Sequence, residues 1–213
     1  SILLGLGIPG QAVIGGVTVL TNLNPYVVGL HYVLSLVLVV LASVLLYRVR
    51  RGPQRDSWGV PVAVRGLSAA LISVLSISLV MGVVTTGSGP HAGDGGAARN
   101  GLDSWLLQHF HAWPSYVVLG LIMTLIAITR EPALAGDTLR RSIAGAGAVA
   151  LVQIGLGLYQ ARNGLPEWSV GLHMVLAAVL LALVSTALLS GREVPTKEAM
   201  DRFPQPETAT SGR

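Results

Sequence analysis

Five uninterrupted apolar runs of helical length, preceded by a shorter one at the start, follow one another along the 213 residues. Strict alternation of apolar and polar residues, the mark of a half-buried strand, is absent, so the runs read as helices long enough to cross a bilayer. With 52% of residues hydrophobic, 11% charged and a mean hydropathy of +0.65, a soluble domain is excluded in favour of an all-α, polytopic membrane helical bundle. The spans fall at 2–21, 26–47, 60–86, 105–129, 142–161 and 167–190. There is no cysteine, which removes disulfides, thiolate metal sites and cysteine nucleophiles.

Charge sets the expected orientation. Most Lys and Arg residues lie in RVRRGPQRD, REPALAGDTLRR and the tail beginning GREVPTKE, so these segments are predicted to face the cytoplasm. The connections NLNP, GSGPHAGDGGAARNGLDS and ARNGLPEW then face outward, with Trp105 and Trp168 in an interfacial belt. A net charge of +4 and a pI near 10.0 are accounted for by these loops, so a nucleic-acid partner is not expected. The polar tail over 192–213 reads as disordered. The chain opens SILLGLGIPGQAV, without Met or a basic flank, and reads as part of a longer protein.

An internal repeat organises the chain. Shifted by 142 residues, QAVIGGVTVLTNLNPYVVGLH falls on QIGLGLYQARNGLPEWSVGLH with seven identities in 21 positions. Gln11 meets Gln153, Gly15 meets Gly157, Leu23 meets Leu165, and Val28 to His31 meet Val170 to His173. Spans five and six thus copy spans one and two, so spans three and four should have counterparts before Ser1. The expectation is six spans of an eight-helix protein built from two pseudo-symmetric four-helix halves. Residues 1–50 would belong to the N-terminal half, 51–59 to a cytoplasmic linker and 60–191 to the complete C-terminal half.

An ionisable side chain within a span is costly and marks a functional site by default. His31, His111 and His173 each lie six residues in from Pro25, Trp105 and Glu167, about 9 Å deep at the helical rise. Imidazoles at one depth on different helices suit a low-spin haem, whose iron takes axial nitrogens from opposite faces. His111 with His173 is the natural pair, and the partner of His31 would belong to the missing helices. Gly29, Gly171 and Gly120 are expected to let the macrocycle approach the backbone. A lone intramembrane histidine is as readily explained by a hydrogen bond to a neighbouring helix; three in one layer, two of them in repeated GLH motifs, favour ligation. His109 stands about 200° from His111 on the same helix, so both cannot enter one pocket; matching depth favours His111.

The remaining candidates are weaker. His91, in TTGSGPHAGDGG, could help its glycines bind an anion, although such a loop is more often only flexible. Gln11 and Gln153 are read as interhelical hydrogen-bonding residues, Arg65 as snorkelling to the cytoplasmic face, and Met81, Met123 and Met174 as core packing. No carboxylate lies in the interior of a span to act as a general base or proton relay.

The segments QAVIGGVTVLTNLNPYVVGLH, TTGSGPHAGD and Gln153 to His173 resemble the haem A synthase family, and the resemblance spans about residues 1–190. Members have eight helices in two pseudo-symmetric halves with a histidine pair in each. The resemblance implies that His111 and His173 hold haem b as an electron-transfer cofactor, and that His31 is one axial ligand where haem O is oxidised. There a ring methyl would become a formyl group by successive oxygenations and loss of water. It further implies a multi-pass protein of the cell membrane, a membrane electron donor, supply from a haem O synthase and a possible homo-oligomer. The family's N-terminal histidine, nearby glutamate and cysteine pair would precede Ser1, so no catalytic residue is assigned within this stretch. Many relatives carry Arg after the fourth-span ligand, whereas Ala112 follows His111, which keeps His109 as an alternative ligand. The competing readings are a non-catalytic bis-histidine b-type cytochrome and a small permease with a polar, haem-free cavity.

Overall fold

The computed structural model describes residues 2–51, 58–90 and 96–192. The tail over 193–213, most of the linker and His91 lie outside the described residues. Six helices follow in order: α1 Ile2–Leu20, α2 Pro25–Arg51, α3 Val62–Ser88, α4 Ser104–Ile128, α5 Asp137–Arg162 and α6 Glu167–Ser190. All six are long and apolar enough to cross a membrane, and no strand occurs among the described residues. The all-α bundle expected from the apolar runs is therefore what the chain forms.

Two helices run furthest past their expected spans. Helix α5 begins at Asp137, where 142 was expected, because the polar stretch DTLRR still forms a turn that buries Leu139. Helix α2 continues through RVRR to Arg51, and its terminal arginines Arg48, Arg50 and Arg51 oppose the negative end of the helix dipole.

Helices α3 to α6 close into a ring in which α3 packs on α4, α4 on α5, α5 on α6 and α6 back on α3. Helix α2 sits in the seam between α6 and α3, while α1 rests chiefly on α2. Leu71, Leu75, Ile122, Leu125, Leu139, Ile143 and Val184 form the aliphatic core of the ring. These residues precede Ser78 on α3 and Gln153 on α5, and follow His111 on α4 and His173 on α6. The core thus fills the end with the arginine-rich connections, leaving the other end to small and polar side chains. Lipid removes the hydrophobic drive between helices, so close packing and interhelical hydrogen bonds must hold that other end.

The repeat is visible in the backbone. After α1, Leu23 N–H donates to the Thr18 carbonyl at 2.8 Å, and after α5 Leu165 N–H donates to the Gln160 carbonyl at 3.0 Å. The left-handed pair Asn22 (φ 52°) and Leu23 (φ 55°) has its counterpart in Gly164 (φ 70°) and Leu165 (φ 57°). These are the six-to-one bonds and left-handed residue of a Schellman cap, with Asn or Gly at the position that tolerates positive φ. Even the side-chain lock recurs: Thr21 Oγ1 donates to the Val17 carbonyl at 2.8 Å, and Asn163 Nδ2 to the Tyr159 carbonyl at 2.8 Å. The same cap gives both hairpins the same turn.

Candidate functional site

Depth comes from the helix starts. Asp103 caps α4 by accepting from Trp105 and Leu106 N–H at 2.8 and 3.1 Å, which places His111 seven residues inside the helix. His31 and His173 lie six residues inside helices that start at Pro25 and Glu167. Trp105 and Trp168 are exposed in the first turns of α4 and α6, where an interfacial belt is expected.

His111 and His173 face each other across the ring, with ring centroids 6.1 Å apart and planes at 73°. Metal–imidazole bonds of about 2 Å on opposite sides of one iron, with each centroid on the order of 1 Å behind its nitrogen, give a separation of roughly 6 Å. The separation of the pair matches that spacing. Among the described residues no group of three or more His, Asp or Glu side chains converges, as a bare ion held by protein alone would need. Two imidazoles suffice where a macrocycle supplies the remaining nitrogens.

His111 is locked by α3. Its Nδ1 lies 2.9 Å from the Ser78 carbonyl; a carbonyl only accepts, so Nδ1 carries the proton and a neutral ring keeps its lone pair on Nε2. Ser115 Oγ donates to the His111 carbonyl at 2.9 Å and so accepts from Ser78 Oγ at 2.8 Å. Thr85 Oγ1 to the Leu107 carbonyl at 3.1 Å and Ser104 Oγ to the Ser88 carbonyl at 2.9 Å continue this α3–α4 seam. Gly82 makes room for the ring: a methyl group there would stand 2.9 Å from His111 Cε1.

His173 is served by α5 in a related way. Gln153 Nε2 donates to the His173 carbonyl at 3.1 Å, and a methyl group on Gly157 would meet His173 Cε1 at 3.8 Å. In the N-terminal hairpin, Gly15 faces His31 Cε1 at 3.5 Å. Ser35 Oγ lies 2.9 Å from the His31 carbonyl and 3.3 Å from Gln11 Oε1, sharing its proton between them. Ala177 stands where Ser35 would recur, and there the glutamine reaches the carbonyl directly. Each histidine thus packs beside a neighbouring helix that carries a polar residue and, four positions on, a glycine: Gln11 and Gly15, Ser78 and Gly82, Gln153 and Gly157.

Nothing among the described residues stands opposite His31 as His111 stands opposite His173. The Nδ1 atoms of His31 and His173 are buried without a hydrogen-bond partner. Such orphans each cost about 1–3 kcal/mol unless something completes the site.

The structure departs from the sequence reading in the glycines. Gly29 packs against Val83, where a methyl would stand 2.8 Å from Cγ1, and Gly171 and Gly120 are exposed with nothing within 4 Å. Gly29 and Gly171 precede their histidines by two residues, which is about 200° around the helix and away from the imidazole. The glycines that face the imidazoles are Gly15, Gly82 and Gly157 on neighbouring helices. His109 turns outward: its Nδ1 binds the Trp105 carbonyl at 2.8 Å, and its ring lies 4.4 Å from the Trp105 ring and 6.5 Å from the Trp113 ring. Met123 is half exposed and does not belong to the core, while Arg65 is exposed near the arginine-rich end. Ser78 escaped the sequence reading because its decisive atom is a backbone carbonyl, although its spacing from Gly82 repeats that of Gln153 and Gly157.

A family model described as cytochrome oxidase assembly protein, COX15-CtaA, matches residues 1–185. No curated protein and no solved structure matches the chain. The match takes in all three intramembrane histidines, both copies of the repeat and α6 as far as Ser185. The chain belongs to the haem A synthase family of cytochrome oxidase assembly proteins.

Proposed function

We propose that the protein oxidises the ring methyl of haem O to a formyl group, with haem b held between His111 and His173. The observation that carries this reading is the half-buried imidazole pair at 6.1 Å, set beside Gly82, Gly157 and hydrogen-bonding side chains. Bound between them, haem would supply one-electron redox chemistry. The chain's own part is positional. Ser78 holds the His111 proton on Nδ1, which would leave the Nε2 lone pair free for the iron, Gly82 leaves space for the His111 ring, and Gln153 holds the backbone that carries His173.

His31 sits in the repeated hairpin and is the residue we assign to the iron of the substrate haem. Electrons would come from a donor in the membrane and pass to that half through the haem b site. The bias of Arg and Lys towards one end supports assigning this end, with the C-terminal tail, to the cytoplasmic side of the cell membrane.

The intact protein, purified, should show a low-spin b-type haem spectrum and, given haem O, oxygen and an electron donor, should yield hydroxylated and formyl products. Absence of haem absorption would overturn the reading. A haem spectrum without product would favour the second reading, a bis-histidine cytochrome that only carries electrons, which the single paired site among the described residues also fits.

A further inference from the structure

Two consecutive carbonyls of α6 take side-chain donors from two different helices. Gln153 Nε2 of α5 donates to the carbonyl of His173 at 3.1 Å, and the Tyr32 hydroxyl of α2 donates to that of Met174 at 3.0 Å. Tyr32 and Met174 are 142 residues apart, the offset of the repeat, so the second bond joins a residue to its own counterpart. In a two-fold arrangement a residue touches its counterpart only close to the axis relating the two copies. Tyr32 therefore marks the seam between the halves, with His31 and His173 immediately before it on either side.

The seam is asymmetric. A methionine side chain has no proton to donate, so no return bond from Met174 to the Tyr32 carbonyl can form. Duplicated hairpins are thus tied here by one hydroxyl, aimed from the N-terminal copy into the C-terminal one. The two facing imidazoles are also held differently. His111 has its Nδ1 fixed on Ser78, whereas His173 Nδ1 is buried with no partner. The orientation of the His173 ring consequently depends on where α6 holds its backbone, and at that turn α6 is held by Gln153 and Tyr32.

We infer that Tyr32 is a positioning residue for the C-terminal histidine pair: its hydroxyl sets the place of α6 at His173 and ties that imidazole to the N-terminal half. The inference rests on the reading of His111 and His173 as haem ligands. The Tyr32 ring packs against the aliphatic core, so Tyr32→Phe keeps the packing and removes only the hydroxyl.

The test uses the intact, haem-loaded protein. Tyr32→Phe should retain haem and its low-spin character, while shifting both the low-spin EPR g-values, which respond to the angle between axial ring planes, and the midpoint potential of that haem. Tyr26→Phe, which removes an exposed hydroxyl 3.4 Å from the Asn100 carbonyl, should move neither. Unchanged g-values and potential in Tyr32→Phe would overturn the inference and leave the haem reading standing. Wild-type protein without a low-spin signal would overturn both.

Discussion

The hairpins α1–α2 and α5–α6 share a turn, a glutamine, a glycine and a histidine, yet only one of them completes a site. His173 meets His111 at 6.1 Å, whereas His31 has the same glycine beside it and no imidazole opposite among the described residues. Burial follows the same division: α1 buries only Thr18, while α6 buries residues along its length from Ser169 to Ser190. The repeated hairpin builds the position of one histidine, and for His173 a different hairpin brings the imidazole that faces it. That hairpin is α3–α4, with its seam of serine, threonine and asparagine bonds.

The comparison breaks most visibly at His173. His173→Ala should abolish the low-spin haem b spectrum of the C-terminal half, and an unchanged spectrum would mean that His111 and His173 are the wrong pair. Next comes Gly82→Ala, whose methyl would stand 2.9 Å from His111 Cε1 and displace the ring from Ser78. Haem affinity measured by titration should fall by on the order of tenfold, as for other residues that orient a metal ligand. Gly157→Ala, with its methyl at an ordinary 3.8 Å from His173, should leave affinity unchanged; equal losses at both glycines would contradict the steric argument.

Smaller effects sharpen the contrast. Gln153→Leu removes the bond to the His173 carbonyl but also the unpartnered Oε1. With interhelical bonds in membranes averaging about 0.6 kcal/mol, haem affinity should weaken by no more than about threefold. Ser35→Ala gives the N-terminal hairpin the residue found at Ala177 and frees Gln11 to reach the His31 carbonyl. Thermal unfolding in detergent should report a change within about 0.5 kcal/mol, and a much larger loss would show that Ser35 does more than bridge. His109→Ala should leave the haem spectrum untouched, since that imidazole lies against Trp105 on the outer surface.

How legible the site was depended on the kind of atom involved. Three histidines at one depth could be counted from helix starts, because rise per residue is a property of any helix. Which glycines face them could not be counted within the same helix. Gly29 and Gly171 were attractive by proximity in sequence, but 100° per residue turns them away, and the glycines that matter lie on neighbouring helices. Gly15 and Gly157 were visible as repeat identities without their purpose. The Ser78 carbonyl was invisible in principle, since every residue owns one.

Sequence alone determined that the chain is an all-helical membrane bundle, that two of its hairpins are copies, and how deep the histidines lie. These follow from apolar run length, residue identity at a fixed offset and helical rise, all local quantities. Tertiary structure decided that His111 and not His109 faces His173, that Gly82 on α3 makes room for the His111 ring while Gly15 and Gly157 lie beside the other two, and that Tyr32 joins its own counterpart across the seam. Those depend on the rotation of each helix about its axis. In lipid that rotation is settled by interhelical packing and hydrogen bonds, because an apolar surface all round leaves the sequence no preferred face.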